Sequence, residues 1–159
     1  MSDTRLAAKV LTVSDGVMAG TREDTGGAGM VAYLGKHGFD VVEHTVAADG
    51  AEIVAAALLR LTEGFAGLVV TTGGTGFGQR DQTPEGTRQV IEREAPGLAE
   101  AMRLVSPLGR LSRGIAGVRG LAIVCNTPGS PKGCVEQIGA IIDVLPHALR
   151  LLADTPTPH

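Results

Sequence analysis

Residues 71–85, with the sequence TTGGTGFGQRDQTPE, join an apolar run to a segment with the features of a helix start. The apolar run, residues 68–70 (LVV), is typical of a buried parallel strand. On the far side, Pro84 and Glu85 follow Thr83, and this order predicts a helix with Thr83 as its N-cap. The stretch therefore predicts a strand, a glycine-rich loop and a helix in succession.

The loop between this strand and this helix has glycine at positions 73, 74, 76 and 78. Glycine adopts positive φ at no steric cost and has no Cβ to keep an anion away from backbone N–H groups, so the loop is suited to hold a phosphate. Asp81 follows just before the helix, and a carboxylate beside a phosphate needs a cation between them. We therefore expect Asp81 to contact Mg²⁺ or to handle a proton. A tight turn without a ligand is the alternative interpretation.

Two better-known glycine motifs do not match this loop. The Walker loop requires Gly-Lys-Ser/Thr, but Gly78 is followed by Gln79 and Arg80. The dinucleotide fingerprint, begun at Gly74, would require glycine in place of Gln79. The loop therefore matches neither of these two motifs, and a turn without a ligand stays open as an alternative.

The length and composition indicate one layered α/β domain. The chain has 159 residues, 43% of them hydrophobic and 3% aromatic, with a net charge of −3. Few aromatic residues and an acidic balance argue against nucleic-acid binding. The sequence shows no signal segment and no membrane span, so we expect a cytoplasmic protein. We expect one domain over residues 1–153, a flexible tail over 154–159, and reduced, structural cysteines at Cys125 and Cys134.

Strand-like and helix-like segments alternate along the chain. The predicted strands cover residues 7–13, 41–47, 68–72 and 121–125. The predicted helices follow Asp24-Thr25, carry the apolar stripe 53–61, and cover 83–94, 98–105 and 135–152, the last bent at Pro146. Residues 107–119 fit either a short hairpin or a segment around an edge. The alternation predicts a three-layer α/β/α domain with a mostly parallel sheet.

Polar clusters follow each of the four predicted strands. They are Ser14-Asp15, Asp49, the stretch 72–81, and 128–132. Because the carboxyl ends of parallel strands meet at one edge of a sheet, the topology predicts that these clusters form one site. For Asp49, an N-cap role before Gly50 is the structural alternative.

These clusters, taken in order, resemble a known family. They are Gly73-Gly74-Thr75-Gly76 with Arg80-Asp81-Gln82-Thr83-Pro84-Glu85, then Leu111-Ser112-Arg113, then Pro128-Gly129-Ser130-Pro131-Lys132. Their order and spacing are similar to the MogA/MoaB molybdopterin-binding family, which is related to the G domains of gephyrin type. The resemblance covers nearly the whole chain.

The resemblance implies an activity: the transfer of AMP from ATP to the terminal phosphate of molybdopterin, with release of pyrophosphate. Mg²⁺ would be the cofactor, with ATP and molybdopterin as substrates. The resemblance also implies a homotrimer and transient contacts with molybdopterin synthase and with a molybdate-insertion protein, but no nucleic-acid or membrane partner.

The resemblance assigns roles to individual residues. Asp81 would be the principal catalytic carboxylate acting through Mg²⁺, and Asp49 would hold the metal or orient the nucleotide. Ser112 and Arg113 would contact the pterin or its phosphate, and Lys132 at a helix start would favour an anion. The predicted substrate-binding residues are Ser14, Asp15, Thr72, Gly73, Gly74, Thr75, Gly76, Thr83, Pro84, Glu85, Ser112, Arg113, Pro128, Gly129, Ser130 and Lys132.

Two other functions are compatible with parts of the pattern. A non-catalytic molybdopterin-binding or assembly protein of MoaB type would not need both Asp49 and Asp81 beside a phosphate. A nucleotide-processing hydrolase like the CinA amino-terminal domain shares the glycine loop, but Arg80 before Asp81 argues against it. The four histidines lack metal-ligand spacing, so we interpret them as surface or packing residues.

Overall fold

Six strands form one sheet, in the order β2-β1-β3-β6-β5-β4, in a computed structural model that describes residues 4–154. The strands are β1 (Leu6–Val13), β2 (Phe39–Ala47), β3 (Gly67–Thr72), β4 (Arg93–Glu94), β5 (Ala116–Arg119) and β6 (Ala122–Thr127). The helices are α1 (Asp15–Met18), α2 (Thr25–Lys36), α3 (Ala51–Thr62), α4 (Thr83–Val90), α5 (Pro96–Arg103), α6 (Pro131–Gly139) and α7 (Leu145–Leu152), with a 3-10 helix at Pro107–Leu111.

Strands β1, β2, β3 and β6 run parallel, and β5 pairs antiparallel with both β6 and β4. Every residue of β3 and β6 is buried, as expected for central strands covered on both faces. The chain passes from β1 to β2 on one side, and β3 then pairs with β1 on the other side. The order of the sheet therefore reverses between β1 and β3, which is where open α/β sheets bind ligands.

Helices cover both faces of the sheet and complete three layers. On one face α2, α5, α6 and α7 pack a core that includes Met30, Leu34, Met102, Ile138 and Leu145. On the other face α3 and α4 pack a smaller core with alternate strand residues such as Leu11, Val69 and Val124. The predicted three-layer architecture with a mostly parallel sheet is confirmed.

The helix after the glycine loop is shorter than predicted, and Thr83 is not its N-cap. Gln82 precedes α4, Thr83 is its first residue, and no side chain caps it. The predicted end near Glu94 was wrong because Ile91 is extended and the Glu92 N–H donates to Val118 O at 2.7 Å. Residues 93–94 therefore form an edge strand instead of a last helical turn.

Residues 107–119, which fitted two patterns, contain the 3-10 helix and β5. The hairpin alternative is correct for the second half, because β5 turns back through Gly120 (φ 57°) and pairs with β6. The single final helix was wrong: α6 ends at Gly139 and α7 begins at Leu145. Pro146 lies in the first turn of α7, where its missing N–H costs nothing, so it starts a helix instead of bending one.

The predicted tail begins at Asp154, and residues 155–159 lie outside the described part of the chain. The boundary of the single domain at residue 153 stays a prediction. Within residues 4–154, none of the helices is long and apolar enough to cross a membrane.

Candidate functional site

A cleft of about 1200 Å³ lies at the carboxyl ends of β1, β3 and β6. Its wall includes the ends of these strands, the glycine loop and the 3-10 helix. The residues that line it comprise 12–14, 17, 22–26, 49, 72–76, 81, 105–109, 111–112, 128–133 and 136–137. Residues from all four predicted polar clusters line this one cleft, in agreement with the prediction that the clusters meet at the carboxyl edge of the sheet.

The start of the glycine loop can be built only from glycine. Gly73 and Gly74 have φ values of 98° and 71°. A Cβ on Gly73 would lie 2.2 Å from Val13 O, and one on Gly74 would lie 2.1 Å from Thr83 Oγ1. The loop therefore packs its backbone directly onto β1 and α4. The Gly73 N–H donates to Thr127 O at 3.0 Å, whereas the N–H groups of residues 74–76 make no hydrogen bond within residues 4–154 and can bind a ligand in the cleft.

The carboxylate of Asp81 packs back onto the loop that precedes it. Its Oδ2 accepts a hydrogen bond from the Gly78 N–H at 2.9 Å. The same oxygen would lie 2.9 Å from a Cβ on Gly76 or on Gly78. Because Asp81 lines the cleft as well, the loop holds one carboxylate beside its own backbone donors.

Asp49 reaches the same cleft from the end of β2, and it does not cap α3. Gly50 is the N-cap of that helix, so the capping alternative was wrong. Asp49 Oδ2 instead accepts from the Asp15 N–H at 2.9 Å, and the Asp49 N–H donates to Asp15 Oδ1 at 3.1 Å. Arg80 completes this arrangement: its Nε donates to Asp15 Oδ2 at 2.6 Å and its Nη2 donates to Asp49 O at 2.9 Å.

The electrostatics act in opposite directions on Asp15 and Asp49. The hydrogen bond from Arg80 holds the pKa of Asp15 below its ordinary value. Burial raises the pKa of Asp49, and the charges of Asp15 and Asp81 raise it further. Asp49 is therefore a carboxylate that gains from a cation placed between it and Asp81.

The carboxylates of this cleft fit an Mg²⁺ ion shared with substrate phosphates better than a metal ion held by protein side chains alone. Within the described residues 4–154, no group of three or more His, Cys, Asp and Glu side chains could hold a metal ion. Mg²⁺ commonly binds through one or two carboxylates and the phosphates of a substrate, which matches Asp49 and Asp81 beside a phosphate loop. Among the described residues, the buried Thr83 Oγ1 has no hydrogen-bond partner, and it lies next to Gly74, so it adds a polar atom to this part of the cleft.

A buried polar network lies behind the loop, and sequence reasoning missed it. Asn126 Nδ2 donates to Thr71 Oγ1 at 3.0 Å and to Thr87 Oγ1 at 2.9 Å. Asn126 Oδ1 accepts from the Ile115 N–H at 3.1 Å, and Thr87 Oγ1 donates to Thr83 O at 2.8 Å. These bonds tie β3, β6, β5 and the start of α4 together beneath the cleft. The one sequence feature that could have indicated this network was Asn126, a polar residue directly after the predicted buried strand 121–125.

A second polar cluster lies where α2 begins: its cap at Asp24 was predicted, and the contacts of Asp24 with Thr12 and His44 were not. Asp24 caps α2 through the Gly27 N–H, and its Oδ2 accepts from Thr12 Oγ1 at 2.7 Å. His44 Nε2 lies 3.0 Å from the same oxygen. His44 is thus a packing histidine, as expected, but it supports a carboxylate in the cleft wall.

The predicted site residues divide into two groups. Those that line the cleft are Ser14, Asp49, Thr72, Gly73, Gly74, Thr75, Gly76, Asp81, Ser112, Pro128, Gly129, Ser130 and Lys132. Those outside the lining are Asp15, Thr83, Pro84, Glu85 and Arg113. Within the first group, Ser14 and Ser130 cap α1 and α6, and Lys132 lies 3.8 Å from Glu136 with 86% of its side chain exposed.

A family model described as a probable molybdopterin binding domain matches residues 9–147. This chain belongs to that family. It is 34% identical to a molybdopterin adenylyltransferase of Helicobacter pylori strain J99, over 90% of this chain and 85% of that protein. The molybdopterin-binding family was thus predicted correctly from the motifs.

Solved structures of the family share the whole fold. A molybdopterin biosynthesis enzyme MoaB from Thermus thermophilus is 43% identical, with a TM-score of 0.88 over 95% of this chain and 98% of that one. A molybdopterin biosynthesis Mog protein from Mycobacterium ulcerans is 36% identical, with a TM-score of 0.86 over 92% of this chain and 99% of that one.

Proposed function

We propose that this protein is a molybdopterin adenylyltransferase that acts in molybdenum cofactor biosynthesis. An oxygen of the terminal phosphate of molybdopterin attacks the α-phosphorus of ATP. The new P–O bond forms as the bond to the β-phosphate oxygen breaks, and pyrophosphate leaves. The products are adenylylated molybdopterin and pyrophosphate.

One observation carries this proposal: Asp49 and Asp81 line the same cleft as the glycine loop 73–76. Binding an anion alone would be weakened by two carboxylates, because each repels it. Phosphoryl transfer between two polyanions instead uses carboxylates to hold a divalent cation. The adenylyltransferase name of the Helicobacter relative supports the same activity.

Each part of the cleft has a role in the proposed reaction. The backbone donors of residues 74–76 bind phosphate oxygens of ATP, Gly73 lets the loop turn onto β1, and Thr75 adds a hydroxyl beside these donors. Asp49 and Asp81 would hold Mg²⁺, which when bound offsets the charge of the phosphates and of the leaving pyrophosphate. Ser112 and the turn Pro128-Gly129-Ser130 bind the pterin side, and Lys132 adds a cation at its rim.

The same proposal includes a cytoplasmic homotrimer. Leu104 and Leu108 are 84% and 74% exposed next to the cleft, and a subunit contact would remove such apolar side chains from water. Transient contacts with a molybdopterin synthase and with a molybdate-insertion protein would bring the substrate and take the product.

The test is a product assay. The protein is incubated with molybdopterin, ATP and Mg²⁺, and adenylylated pterin and pyrophosphate are measured. Asp81→Asn is assayed alongside, and Asp40→Asn, an exposed aspartate at the opposite end of β2, is the matched control. We expect product from the wild type and from Asp40→Asn, and almost none from Asp81→Asn. Tight pterin binding without product in the wild type would favour a non-catalytic binding protein.

A further inference from the structure

Arg113 is the residue whose position differs most from its expected role. The motif Leu111-Ser112-Arg113 implies a contact with the pterin or its phosphate. The cleft lining, however, includes Ser112 and not Arg113. The Arg113 side chain instead extends behind the glycine loop, and its exposed fraction is 34%.

The guanidinium of Arg113 binds two carbonyl groups of the loop. Its Nε donates to Gly76 O at 2.8 Å, and its Nη2 donates to Asp81 O at 2.5 Å. The backbone of the same residue adds a third bond, from the Arg113 N–H to Thr75 O at 2.9 Å. Both ends of the segment 75–81 are therefore held by one residue that lies outside the loop.

Glu85 fixes the plane of the guanidinium. Arg113 Nη1 donates to Glu85 Oε2 at 2.7 Å, and Nη2 donates to Glu85 Oε1 at 3.3 Å. This forked pair links the segment before β5 to the first turn of α4. The side chain of an arginine has five N–H donors. In Arg113 four of them donate to Gly76 O, Asp81 O and the two oxygens of Glu85, which leaves one for a ligand.

We infer that Arg113 is a positioning residue, paired with Glu85, which holds the segment 75–81 in place and thereby sets the position of the Asp81 carboxylate in the cleft. This inference deepens the proposed function and rests on it where catalysis is concerned. Glu85, which the motif also assigns to substrate, acts with Arg113 and not on the ligand. The effect on the reaction passes through Asp81.

The geometry requires arginine and not merely a positive charge. The planar guanidinium offers donors in several directions, whereas lysine offers one ammonium group on a flexible stem. An ammonium cannot reach Gly76 O, Asp81 O and both oxygens of Glu85 together. Lysine can still bind a phosphate as a point charge, so Arg113→Lys separates a loop-positioning role from a phosphate contact.

The experiment compares Arg113→Lys and Glu85→Gln with the wild type. Arg60→Lys is the matched control, because Arg60 lies on α3 and pairs with Glu43 at 2.9 Å, outside the residues that line the cleft. Three quantities are measured on the full chain: amide hydrogen exchange at Gly78 and Asp81, pterin binding, and the kcat and KM of adenylyl transfer. Thermal unfolding checks that each variant is folded, and Glu85→Gln provides the test if Arg113→Lys does not fold.

We expect Arg113→Lys to exchange the amides of Gly78 and Asp81 faster and to lower kcat by about 10- to 100-fold, because small displacements of a catalytic group cost that much. Its pterin dissociation constant should stay within about twofold of the wild type. Glu85→Gln should show the same changes at smaller size, and Arg60→Lys should show none.

Unchanged exchange at Gly78 and Asp81 in both variants would overturn the inference, and so would a tenfold weaker pterin affinity at unchanged kcat. The proposed function fails separately, if the wild type makes no adenylylated pterin. In that case the exchange measurement still decides whether Arg113 holds the loop.

Discussion

One face of the sheet is covered by α2, α5, α6 and α7 mainly through apolar side chains, whereas α4 is joined to the other face by a buried network of side-chain hydrogen bonds. On the first face, buried residues such as Met30, Leu34 and Ile138 pack against the strands. On the second face, the apolar core of Leu58 and Val69 gives way near the cleft to the polar network of Asn126.

This difference suits the two faces to two tasks: one face mainly stabilises the fold, and the other also positions the residues of the cleft. Apolar contacts are non-directional, so the first face stabilises the fold without defining where a loop begins. Hydrogen bonds require particular distances and angles, so the Asn126 network defines where α4 and the glycine loop lie on the sheet. The polar groups of the second face are buried in the part of the molecule that carries the cleft.

The largest expected change in stability comes from the apolar face. Leu34 is fully buried on α2, and Leu34→Ala should lower the free energy of unfolding by about 2–5 kcal/mol through lost burial and a cavity. Adenylyl transfer by the folded variant should stay within about twofold of the wild type. Chemical denaturation and a kinetic assay below the unfolding transition measure both. A large loss of kcat in Leu34→Ala would contradict the idea that the two faces have different tasks.

Asn126→Ala should affect both properties. It removes the partners of Thr71, Thr87 and the Ile115 N–H, and each buried group left unpaired costs about 1–3 kcal/mol. Because the start of α4 would shift, we expect kcat to fall by about tenfold. Val124→Ala is the matched control, since it lies on the same strand and the same face without polar partners. If both variants lower kcat equally, the network has no special role in positioning.

Ser112→Ala sharpens the comparison within the cleft. Ser112 lines the cleft next to Arg113, and within residues 4–154 its Oγ accepts only the Gly114 N–H, at 3.2 Å. We expect pterin binding to weaken by about 3- to 10-fold, the value of one hydrogen bond, while ATP binding is unchanged. Separate titrations of the two ligands measure this. A loss confined to ATP affinity would place Ser112 on the nucleotide side.

The smallest expected effect is a change in titration. Hydrogen bonds from Arg113 hold the pKa of Glu85 below its ordinary value of about 4.3. A lowered carboxyl pKa stabilises the folded state above the pKa of the unfolded chain, and this contribution is lost as pH falls through the folded value. In Arg113→Ala, the pKa of Glu85 should rise in a carboxyl NMR titration, whereas that of Asp15, which depends on Arg80, should not move. A shift of both carboxyls would mean that the variant disturbs the whole cleft.

The sequence predicted the features that depend on local pattern. Apolar strands, glycine positions with positive φ and acidic residues at strand ends are all local signals, so the parallel sheet and the cleft edge were found. The two-residue strand β4 was missed because it carries no periodicity of its own and exists only by pairing with β5. The turn 140–144 was missed because its residues are mostly apolar and the apolar spacing continues across it from α6 into α7.

Partners that are distant in sequence could not be predicted from pattern. Arg113 binds Gly76 O, 37 residues away, and Asn126 binds Thr71, 55 residues away. An arginine in a motif is compatible with a ligand contact and with a structural bond alike, and only the folded arrangement distinguishes them. Thr83 shows the same limit, because its hydroxyl fitted an N-cap but lies unpartnered beneath Gly74.

The central claim is that Asp49 and Asp81 act together in adenylyl transfer, and a double-variant comparison tests it most directly. Adenylylated pterin is measured for the wild type, Asp49→Asn, Asp81→Asn and the double variant, with pterin binding measured on the same samples. We predict that each single variant loses about 10²- to 10³-fold in rate at unchanged pterin affinity, and that the double variant loses little more, because residues that act as a unit are non-additive. Wild-type rates in either single variant would contradict the claim.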